Sequence, residues 1–397
     1  MVQRSPNLSA MHALFVTHAF PRDETDPVGS FVLRLAVALR ELDVRVTVIA
    51  PRAPGLDRED VIEGIPVIRF PYASRKRETL AYTGTMEAQV AASLAGKALL
   101  LSFLSSSLAA SYRLMRSQRV DIIHAHWWFP GGLVGSWLSQ LTHTPLVTTM
   151  HGSDVRLAQR FRGGKRLLRI VAKHSAAMTT VSSWLAREVE ALAPTAHPRV
   201  VPMPVVPDLF TPSQHHDADR LLFIGKLTEQ KGLQHLLRAM TLMRTQPVLE
   251  VVGAGRVDDS HLRDLARELG VDDRIAWLPI LSQSELARHY RKATIHVIPA
   301  VNEGLGLTAV ESILCGTPVV AFDSGGVTDV IRNGVTGILV PPGDVQALAR
   351  ALDQLLEDPS KRAALAEQGR QHVQREFDRG AVAMRYAGIY GDAIGSL

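Results

Sequence analysis

The chain has 397 residues, of which 46% are hydrophobic and 21% are charged, and its formal net charge is +5. This length and composition fit a globular protein of two or three domains and exclude a low-complexity chain. One cysteine, Cys315, excludes a disulfide framework and fits a reducing compartment. Its apolar surroundings favour a small buried residue over a nucleophile.

Two apolar segments bear on localisation. The opening residues 1–18 lack the long apolar region of a signal peptide, so their apolar run is predicted to form a first strand and the protein to stay in the cytoplasm. Residues 97–115 are apolar but rich in serine, and their uncharged core is shorter than the ~20 residues that a spanning helix needs. We expect a buried or interfacial helix there.

Short β-branched runs alternate with longer helical patterns, which is typical of βα units around a parallel sheet. In the first half of the chain, strands are predicted near residues 13–17, 45–50, 66–70, 121–125, 145–150 and 177–181. The proline-rich segment 200–213 then breaks the pattern and is interpreted as an interdomain linker.

A second series of strands begins with RLLFIG at residue 220 and continues through VLEVVG, RIAWLP, TIHVIP, TPVVAF and GILVPP. The sequence therefore predicts an α/β protein of two Rossmann-like, doubly wound domains, residues 1–203 and 204–377. A C-terminal helix, 378–397, follows, and its docking partner is left open. Because each sheet presents the carboxyl ends of its strands, we expect a ligand in the cleft between the domains.

Two loops of the first domain follow predicted strands and carry residues suited to ligand contact. The loop that leads to Gly29 is long for a βα connection, and the glycine permits close approach of the backbone to a ligand. An ordinary helix cap at Ser30 is the alternative. His151 follows another strand and is expected to face the cleft, while Ser153 or Asp154 is suited to cap the next helix.

His124 and His126 lie two positions apart at the end of a predicted strand and therefore point to one side. With His151 and Asp154 they could in principle bind zinc, but this spacing matches no specific zinc motif. Histidines flanked by aromatic residues often line sugar or acceptor sites. We therefore predict that His124, His126 and Trp127 face the acceptor and that no metal is bound.

In the second domain, Lys226 and Lys231 follow the first strand in the segment GKLTEQKGL. Two compact cations near the start of the next helix could hold a diphosphate and stabilise the charge that develops on a leaving phosphate. The alternative is that both lysines are merely solvated.

The most informative segment is PAVNEGLGLTAVESILCG, residues 299–316, in which Glu303 and Glu311 lie eight positions apart around a glycine-rich turn. The turn follows a strand and opens a helix, and free amides at a helix start suit phosphate. At about 100° per residue, Glu311 lies about 40° from Leu307 and borders the apolar stripe. A charge at that position needs hydrogen-bond donors, and ligand hydroxyls could supply them. The alternative is that Glu303 only interacts favourably with the helix dipole and that Glu311 extends to water.

Two basic clusters stand out: Arg75-Lys76-Arg77, and a series from Arg156 to Arg169. Neither is interleaved with aromatic residues or set in a nucleic-acid-binding module, so no nucleic-acid partner is predicted. A solvated face is one explanation. Peripheral contact with an anionic membrane, or binding of a lipid diphosphate acceptor, is the other.

Two further motifs are weak. VVGAGR, residues 251–256, begins like a dinucleotide-binding turn, but Asp258 stands where that motif requires glycine or alanine. Asp217 and Asp219 imitate the paired acids of metal-dependent sugar transfer, but they lie in a polar linker and are predicted to be solvated.

Taken in order, these motifs resemble the retaining, GT-B-fold glycosyltransferases of the large family-four group. The glycine turn at Gly29, the strand ends at residues 121–126 and 151–152, the GKLTEQKG segment and the Glu303-x7-Glu311 element carry the resemblance. Two departures concern phosphate contacts. Lys226 stands where the family most often has arginine, which loses the bidentate fork, and Val28-Gly29 replaces a glycine pair.

The resemblance implies roles for individual residues. Glu303 would hold hydroxyls of the donor sugar, Glu311 the nucleotide ribose, and Lys226 with Lys231 the diphosphate, while His151 would contact the transferred sugar. Gly29 would also lie near the donor. The phosphate and sugar would be cradled by the backbone of Gly304, Leu305, Gly306, Leu307 and Thr308. The catalytic set is then Glu303, His151, Lys226 and Lys231.

The activity implied is transfer of a hexose-type sugar from a nucleoside-diphosphate-sugar to a hydroxyl acceptor, with front-face departure of the diphosphate and no required cofactor. Bacterial polysaccharide or glycolipid assembly fits, with a lipid-linked acceptor as one form and a position in the cytoplasm or peripherally on the inner membrane. Three alternatives remain open: a GT-B-type nucleotide-sugar epimerase, an NAD-dependent oxidoreductase and a non-catalytic sugar sensor.

Overall fold

The computed structural model describes residues 11–24, 26–83, 85–205, 208–213, 219–254 and 259–395. The backbone divides into two compact units: unit 1 comprises Met1–Pro204 with Arg379–Leu397, and unit 2 comprises Val205–Asp378. The boundaries expected after residues 203 and 377 lie within one residue of this division.

Unit 1 is built around a sheet in which the described residues form eight strands. They are β1 (His12–Val16), β2 (Arg45–Pro51), β3 (Glu59–Ile62), β4 (Ile65–Phe70), β5 (Ile122–His126), β6 (Leu146–Met150), β7 (Ala177–Thr180) and β8 (Arg199–Val200). Their order is β3-β4-β2-β1-β5-β6-β7-β8, and every neighbouring pair is parallel except β3 with β4. The sequence predicted six of these strands and missed β3 and β8.

The helices that connect these strands lie on both faces of the sheet. They are α1 (Ser30–Arg40), α2 (Met86–Ala92), α3 (Leu94–Ser117), α4 (Leu133–Thr142), α5 (Ser153–Arg160), α6 (Gly164–His174) and α7 (Ser183–Leu192). The chain passes from β1 to β2 towards one edge of the sheet, and from β4 to β5, β6 and β7 towards the other edge. Because such crossovers are right-handed, α3, α4 and α6 lie on the face opposite α1.

Unit 2 has a second parallel sheet, with the order β11-β10-β9-β12-β13-β14. Its strands are β9 (Arg220–Ile224), β10 (Val248–Val252), β11 (Ile275–Leu278), β12 (Ile295–Ile298), β13 (Val319–Phe322) and β14 (Ile338–Val340). The direction of winding reverses between β9 and β12. The loops that follow these two strands therefore meet at the point where doubly wound sheets bind ligands.

Helices cover both faces of this sheet and close an apolar core that includes Leu221, Val251 and Phe322. They are α8 (Leu233–Leu242), α9 (Ser260–Glu268), α10 (Gln283–Lys292), α11 (Leu307–Leu314), α12 (Val327–Val330), α13 (Val345–Glu357) and α14 (Pro359–Glu376). Cys315 is fully buried at the end of α11, as expected for a small core residue.

The last helix, α15 (Arg379–Gly395), belongs to unit 1 and packs on α1, β5 and β6. Tyr386 and Tyr390 are fully buried there. The hydroxyl of Tyr390 lies 2.6 Å from Nδ1 of His124, and Nε2 of the same ring lies 2.6 Å from Oγ1 of Thr149. A buried polar network therefore fixes α15 to the sheet of unit 1.

Close backbone packing explains Gly253, the first glycine of the dinucleotide-like motif. Its φ is +123°, and a methyl group there would lie 2.1 Å from the carbonyl oxygen of Gly225 at the end of β9. The glycine is thus required by the approach of two strand ends, without any nucleotide. Gly255, Asp258 and Asp217 lie outside the described residues.

Gly232 permits a similar approach at the edge of the unit 2 sheet where the direction of winding reverses. Its φ is +76°, and a methyl group would lie 1.8 Å from the carbonyl oxygen of Pro299. We expect Gly232→Ala to lower the free energy of unfolding by about 3 kcal/mol or more, since strain and a backbone clash combine.

Gly270→Ala is the matched control, because Gly270 also has a positive φ, +65°, but open space around it. It should cost only about 1 kcal/mol, the price of strain alone. Urea unfolding followed by circular dichroism compares the two variants. Equal losses of stability would contradict the packing argument.

Candidate functional site

The loops after β9 and β12 bring together the two motifs of unit 2. Lys231 ends a short 3₁₀ turn, and its Nζ forms an ion pair with Oε2 of Glu303 at 2.5 Å. Both side chains are partly buried. The backbones are joined as well, because the N–H of Val301 donates to the carbonyl of Gln230. Residues 72 positions apart thus form one surface.

The turn that carries Glu303 is also held in place by the backbone that follows a third strand, β13. Glu303 forms an isolated parallel bridge with Gly325, and its carbonyl accepts the N–H of Gly326 at 2.6 Å. A methyl group at Gly325, whose φ is +76°, would lie 2.4 Å from that carbonyl oxygen. The position of Glu303 is therefore set by main-chain contacts and does not depend on a ligand.

The glycine-rich turn ends in the first turn of α11. Gly306 is the residue before the helix and has φ +85°, Leu305 is buried, and Leu307 and Thr308 are partly exposed. The amides of a first helical turn have no partner inside the helix and attract anions. The segment Gly304 to Thr308 therefore offers backbone donors beside the Lys231–Glu303 pair.

Lys226 is the second residue after β9, and its side chain is exposed. The structure places it on the same connection as Lys231, between the end of β9 and the start of α8. Both cations predicted to hold a diphosphate thus belong to the edge of the sheet at which the winding reverses.

Glu311 has a protein partner that the sequence did not reveal. The hydroxyl of Tyr290, on α10, donates to Oε2 of Glu311 at 2.9 Å. Tyr290 is fully buried and lies beside Phe210 and His296. Burial raises the pKa of Glu311 to about 7, although the Tyr290 hydrogen bond lowers it. The sequence predicted that Glu311 borders the apolar face of its helix, but it did not predict that Tyr290 donates a hydrogen bond to the Glu311 carboxylate.

In unit 1, imidazole and aromatic rings gather at the carboxyl ends of β1, β5 and β6. Nδ1 of His126 lies 3.1 Å from Nε2 of His151. The Trp127 ring packs on His151 at 4.5 Å between centroids, and its Nε1 donates to Oγ of Ser153. His18 packs edge-to-face against Trp127, with 4.5 Å between ring centroids, and was not singled out from the sequence.

These histidines are neutral at physiological pH. Burial lowers the pKa of His18 to about 4 and that of His124 to about 3. It also lowers the pKa of His126 and His151 well below the usual value, and the neighbouring rings act in the same direction. Because both rings are neutral, one nitrogen donates and the other accepts across the contact between His126 and His151.

His124 differs from His126 and His151 in the partners of its ring, because both of its nitrogens contact protein groups, although His126 is equally buried. His124 is fully buried, and its two ring nitrogens lie within hydrogen-bond distance of Tyr390 and Thr149. The predicted contact between His124 and an acceptor is therefore not available in this arrangement, and the ring has a structural role. His126, Trp127 and His151 remain candidates, and Nε2 of His126 has no hydrogen-bond partner among the described residues.

The buried carboxylate of Asp154 joins two loops of this cluster. It accepts the N–H groups of His151 and Gly152 through Oδ1 and that of Trp128 through Oδ2. Burial raises its pKa, and these backbone bonds oppose the rise. Neither it nor Ser153 caps α5, contrary to expectation, because Gly152 precedes the helix with φ +108° and no side-chain cap forms.

Gly29, rather than Ser30, precedes α1, and it has φ +74° without a side-chain cap. A methyl group there would lie 2.4 Å from the carbonyl oxygen of Ala19, so the glycine is required by the loop itself. Within the described residues, no group of three or more His, Cys, Asp or Glu is arranged to hold a metal ion.

The raised pKa of Glu311 predicts a pH dependence of stability. Between the ordinary carboxyl value of 4.5 and about 7, the folded protein binds a proton more tightly than the unfolded chain. Stability therefore falls as pH rises through this window. Compared with Glu311→Gln, which has no such proton, the wild type should lose roughly 2 kcal/mol between pH 5 and pH 8.

Denaturant unfolding across this pH range measures the difference, with Glu367→Gln, an exposed carboxyl on α14, as the matched control. The hydrogen bond from Gln371 and the charge of Arg370 lower the pKa of Glu367, so it stays ionised over this range and the control curve should run parallel to that of the wild type. Parallel stability curves for the wild type and Glu311→Gln would show that Glu311 has an ordinary pKa.

Comparison with known proteins identifies both units. Residues 28–205 match the model described as "Glycosyl transferase 4-like domain", and residues 208–372 match "Glycosyl transferases group 1". The D-inositol 3-phosphate glycosyltransferase of Thermobispora bispora is 32% identical, over 96% of this chain and 94% of that protein. An uncharacterized glycosyltransferase of Methanocaldococcus jannaschii is 26% identical over 74% of this chain and 80% of that protein.

Solved structures with the same fold include the sucrose-phosphate synthase of Thermosynechococcus elongatus, with a TM-score of 0.80 and 22% identity. HepE of Anabaena, in complex with UDP-glucose, has a TM-score of 0.73 and 18% identity. Each comparison covers 98% of this chain and 100% of the other. The resemblance predicted from the motifs is confirmed: the chain belongs to the group 1, family-four glycosyltransferases and has their GT-B fold.

Proposed function

We propose that this glycosyltransferase moves a hexose-type sugar from a nucleoside-diphosphate-sugar to a hydroxyl acceptor with retention of configuration. The observation that carries the proposal is the Lys231–Glu303 ion pair at the reversal point of the unit 2 sheet. A cation, a carboxylate and the backbone amides of a helix start lie together there, which suits a phosphate bonded to a polyhydroxyl sugar.

In this mechanism Lys231 and Lys226 bind the diphosphate, and the backbone from Gly304 to Thr308 cradles the phosphate and the sugar. An incoming diphosphate competes with Glu303 for Lys231, which leaves the Glu303 carboxylate available to accept hydrogen bonds from sugar hydroxyls. Negative charge develops on the departing diphosphate, and the lysines stabilise it there.

The acceptor side of the proposal rests on unit 1. Neutral His151, held by His126 and by the Asp154 carboxylate, can donate or accept one hydrogen bond beside the transferred sugar without adding a charge. The acceptor hydroxyl attacks on the face from which the diphosphate departs, and the leaving phosphate oxygen takes its proton. The bond to phosphate breaks as the new glycosidic bond forms, and no carboxylate need become a covalent nucleophile.

The ligands and the activity named for similar proteins suggest which substrates to test. HepE was solved with UDP-glucose, and the starch synthase IV catalytic domain of Arabidopsis thaliana was solved with ADP and acarbose. We therefore propose a panel of UDP-, GDP- and ADP-sugars as donors. D-Inositol 3-phosphate, named for the relative from T. bispora, is the first soluble acceptor to test. A lipid-linked acceptor of polysaccharide or glycolipid assembly, used in the cytoplasm, is the other class.

The donor panel is read out by release of nucleoside diphosphate, and the anomeric proton of the product is followed by NMR. Glu303→Ala is expected to reduce transfer at saturating donor at least about a hundredfold, because an interaction with the reacting sugar is lost. Glu229→Ala, which removes an exposed carboxylate from the neighbouring connection between β9 and α8, is the control and should retain activity.

Near-wild-type transfer by Glu303→Ala would overturn the role of this residue, and an inverted product would overturn retention. Turnover of the donor without any acceptor, with change of sugar configuration, would identify an epimerase instead. Nucleotide-sugar binding without product would identify a sensor.

Glu311 and Tyr290 are expected to act on donor binding. Glu311→Ala should raise the donor KM about tenfold or more with little change in kcat, and Tyr290→Phe should act in the same direction but less strongly. Because the ionised carboxylate accepts ribose hydroxyls best, donor affinity should fall as pH decreases through about 7. Steady-state kinetics from pH 6 to pH 8.5, a range that extends roughly one pH unit or more on either side of the Glu311 pKa, test this. A loss of kcat at unchanged KM would contradict it.

A further inference from the structure

Three helices of unit 1 form a continuous outer layer that the donor and acceptor sites do not use. α3 packs beside α4, and α4 packs beside α6, while the inner sides of α3 and α4 lie on strands β2, β4, β5 and β6. We call the outer surface of α3, α4 and α6, together with the α5–α6 turn, the helical face.

The helical face exposes large apolar side chains. Leu94 and Leu101 of α3 are 82% and 68% exposed, Leu141 of α4 is 60% exposed, and Phe161 between α5 and α6 is 54% exposed. Tyr112, Trp137 and Ile170 also reach the surface there. Scattered single apolar residues need no explanation, but six on three adjacent helices and one on the adjoining turn form a patch of the kind that marks an interaction site.

α3 is the most apolar of these helices. Among the described helices it alone is long and apolar enough, by length and composition, to cross a membrane, and only 28% of its most apolar window is buried. The helix has 24 residues and is therefore longer than the uncharged core from which the sequence predicted a buried or interfacial helix. Its packing on β2, β4 and α4 favours an interfacial position over a spanning one.

Charge is distributed unevenly in the same region. Residues 94–174 contain eleven Lys or Arg and two Asp, a formal charge of +9, whereas the whole chain carries +5. Neither carboxylate is fully exposed: Asp154 is buried, and the partly buried Asp121 accepts the N–H of His12 and pairs with Arg119. The helices α3, α4 and α6 contain no acidic residue.

Apolar side chains bordered by cations, with no acid among them, match the boundary between lipid phosphates and acyl chains. The same surface is poorly suited to a two-fold dimer, because a symmetric interface would oppose like charges. Nucleic acid would match the cations but not the exposed leucines. We propose that the helical face docks on an anionic lipid bilayer, with Leu94, Leu101 and Phe161 inserted and the cations at phosphate depth.

Vesicle co-sedimentation with the full chain tests this proposal independently of any glycosyltransferase activity. Vesicles of phosphatidylcholine with phosphatidylglycerol are compared with phosphatidylcholine alone, at about 0.15 M salt and at about 1 M salt. The protein is expected to bind the anionic vesicles at least about tenfold more tightly, and high salt should weaken this binding.

Two double variants separate the apolar contribution to vesicle binding from the electrostatic contribution. Leu94→Ser with Leu101→Ser removes exposed apolar groups, and Lys165→Glu with Arg166→Glu reverses two charges in the first turn of α6. Each should weaken binding to the anionic vesicles about tenfold or more. The matched controls are Met384→Ser, 60% exposed on α15, and Arg238→Glu with Arg350→Glu on exposed positions of unit 2.

The controls should bind like the wild type, and unchanged melting temperatures show that all variants are folded. Absence of binding to anionic vesicles would overturn the proposal, as would equal effects of the variants and the controls. A concentration-dependent dimer in sedimentation velocity, abolished by the leucine variant in a protein that ignores vesicles, would assign the face to self-association instead.

Discussion

The candidate donor site depends on one close approach, in which Gly232 lets the connection after β9 lie against the end of β12. This contact is what allows Lys231 to reach Glu303 at 2.5 Å. Neither charge is fully buried, so the pair contributes little to stability, since partly exposed ion pairs are worth at most about 1 kcal/mol. Its importance is positional: a cation and a carboxylate are held ready before any substrate arrives, which reduces the cost of ordering them on binding.

The sequence predicted the strands that build both sheets because β-branched runs and glycine-rich strand ends are local features. It missed β3 and β8 for equally physical reasons. β3 (EDVI) is a short, largely exposed edge strand without an apolar run, and β8 has only two residues. Local pattern carries no signal at such positions.

The sequence also singled out the motifs that meet at the candidate donor site, whereas the groups that hold them in place could not be predicted. Tyr290 and Glu311 lie 21 positions apart and meet only through the packing of α10 on α11. Asp154 was expected to cap its own helix but instead binds the loop before it and the N–H of Trp128. Hydrogen bonds of this kind depend on tertiary structure, and the return of α15 to unit 1 through Tyr390 does so as well.

The two units contribute different electrostatics. Unit 2 provides charged groups at the reversal point of its sheet, which suits a diphosphate. Unit 1 provides neutral imidazoles at its strand ends and concentrates its excess of positive charge in residues 94–174, which include the helical face. Because helices of βα units begin at the carboxyl ends of strands, Leu94 and Lys165 lie at the same end of unit 1 as the histidine cluster. A bilayer on the helical face would therefore border the predicted acceptor edge.

The most direct test of the account is calorimetric binding of UDP, GDP and ADP to the wild type and to Lys231→Ala. We predict that one nucleoside diphosphate binds the wild type, and that Lys231→Ala weakens this binding at least about tenfold because a charged contact to phosphate is lost. The same affinity in both proteins would contradict the assignment of the diphosphate to the Lys231–Glu303 site.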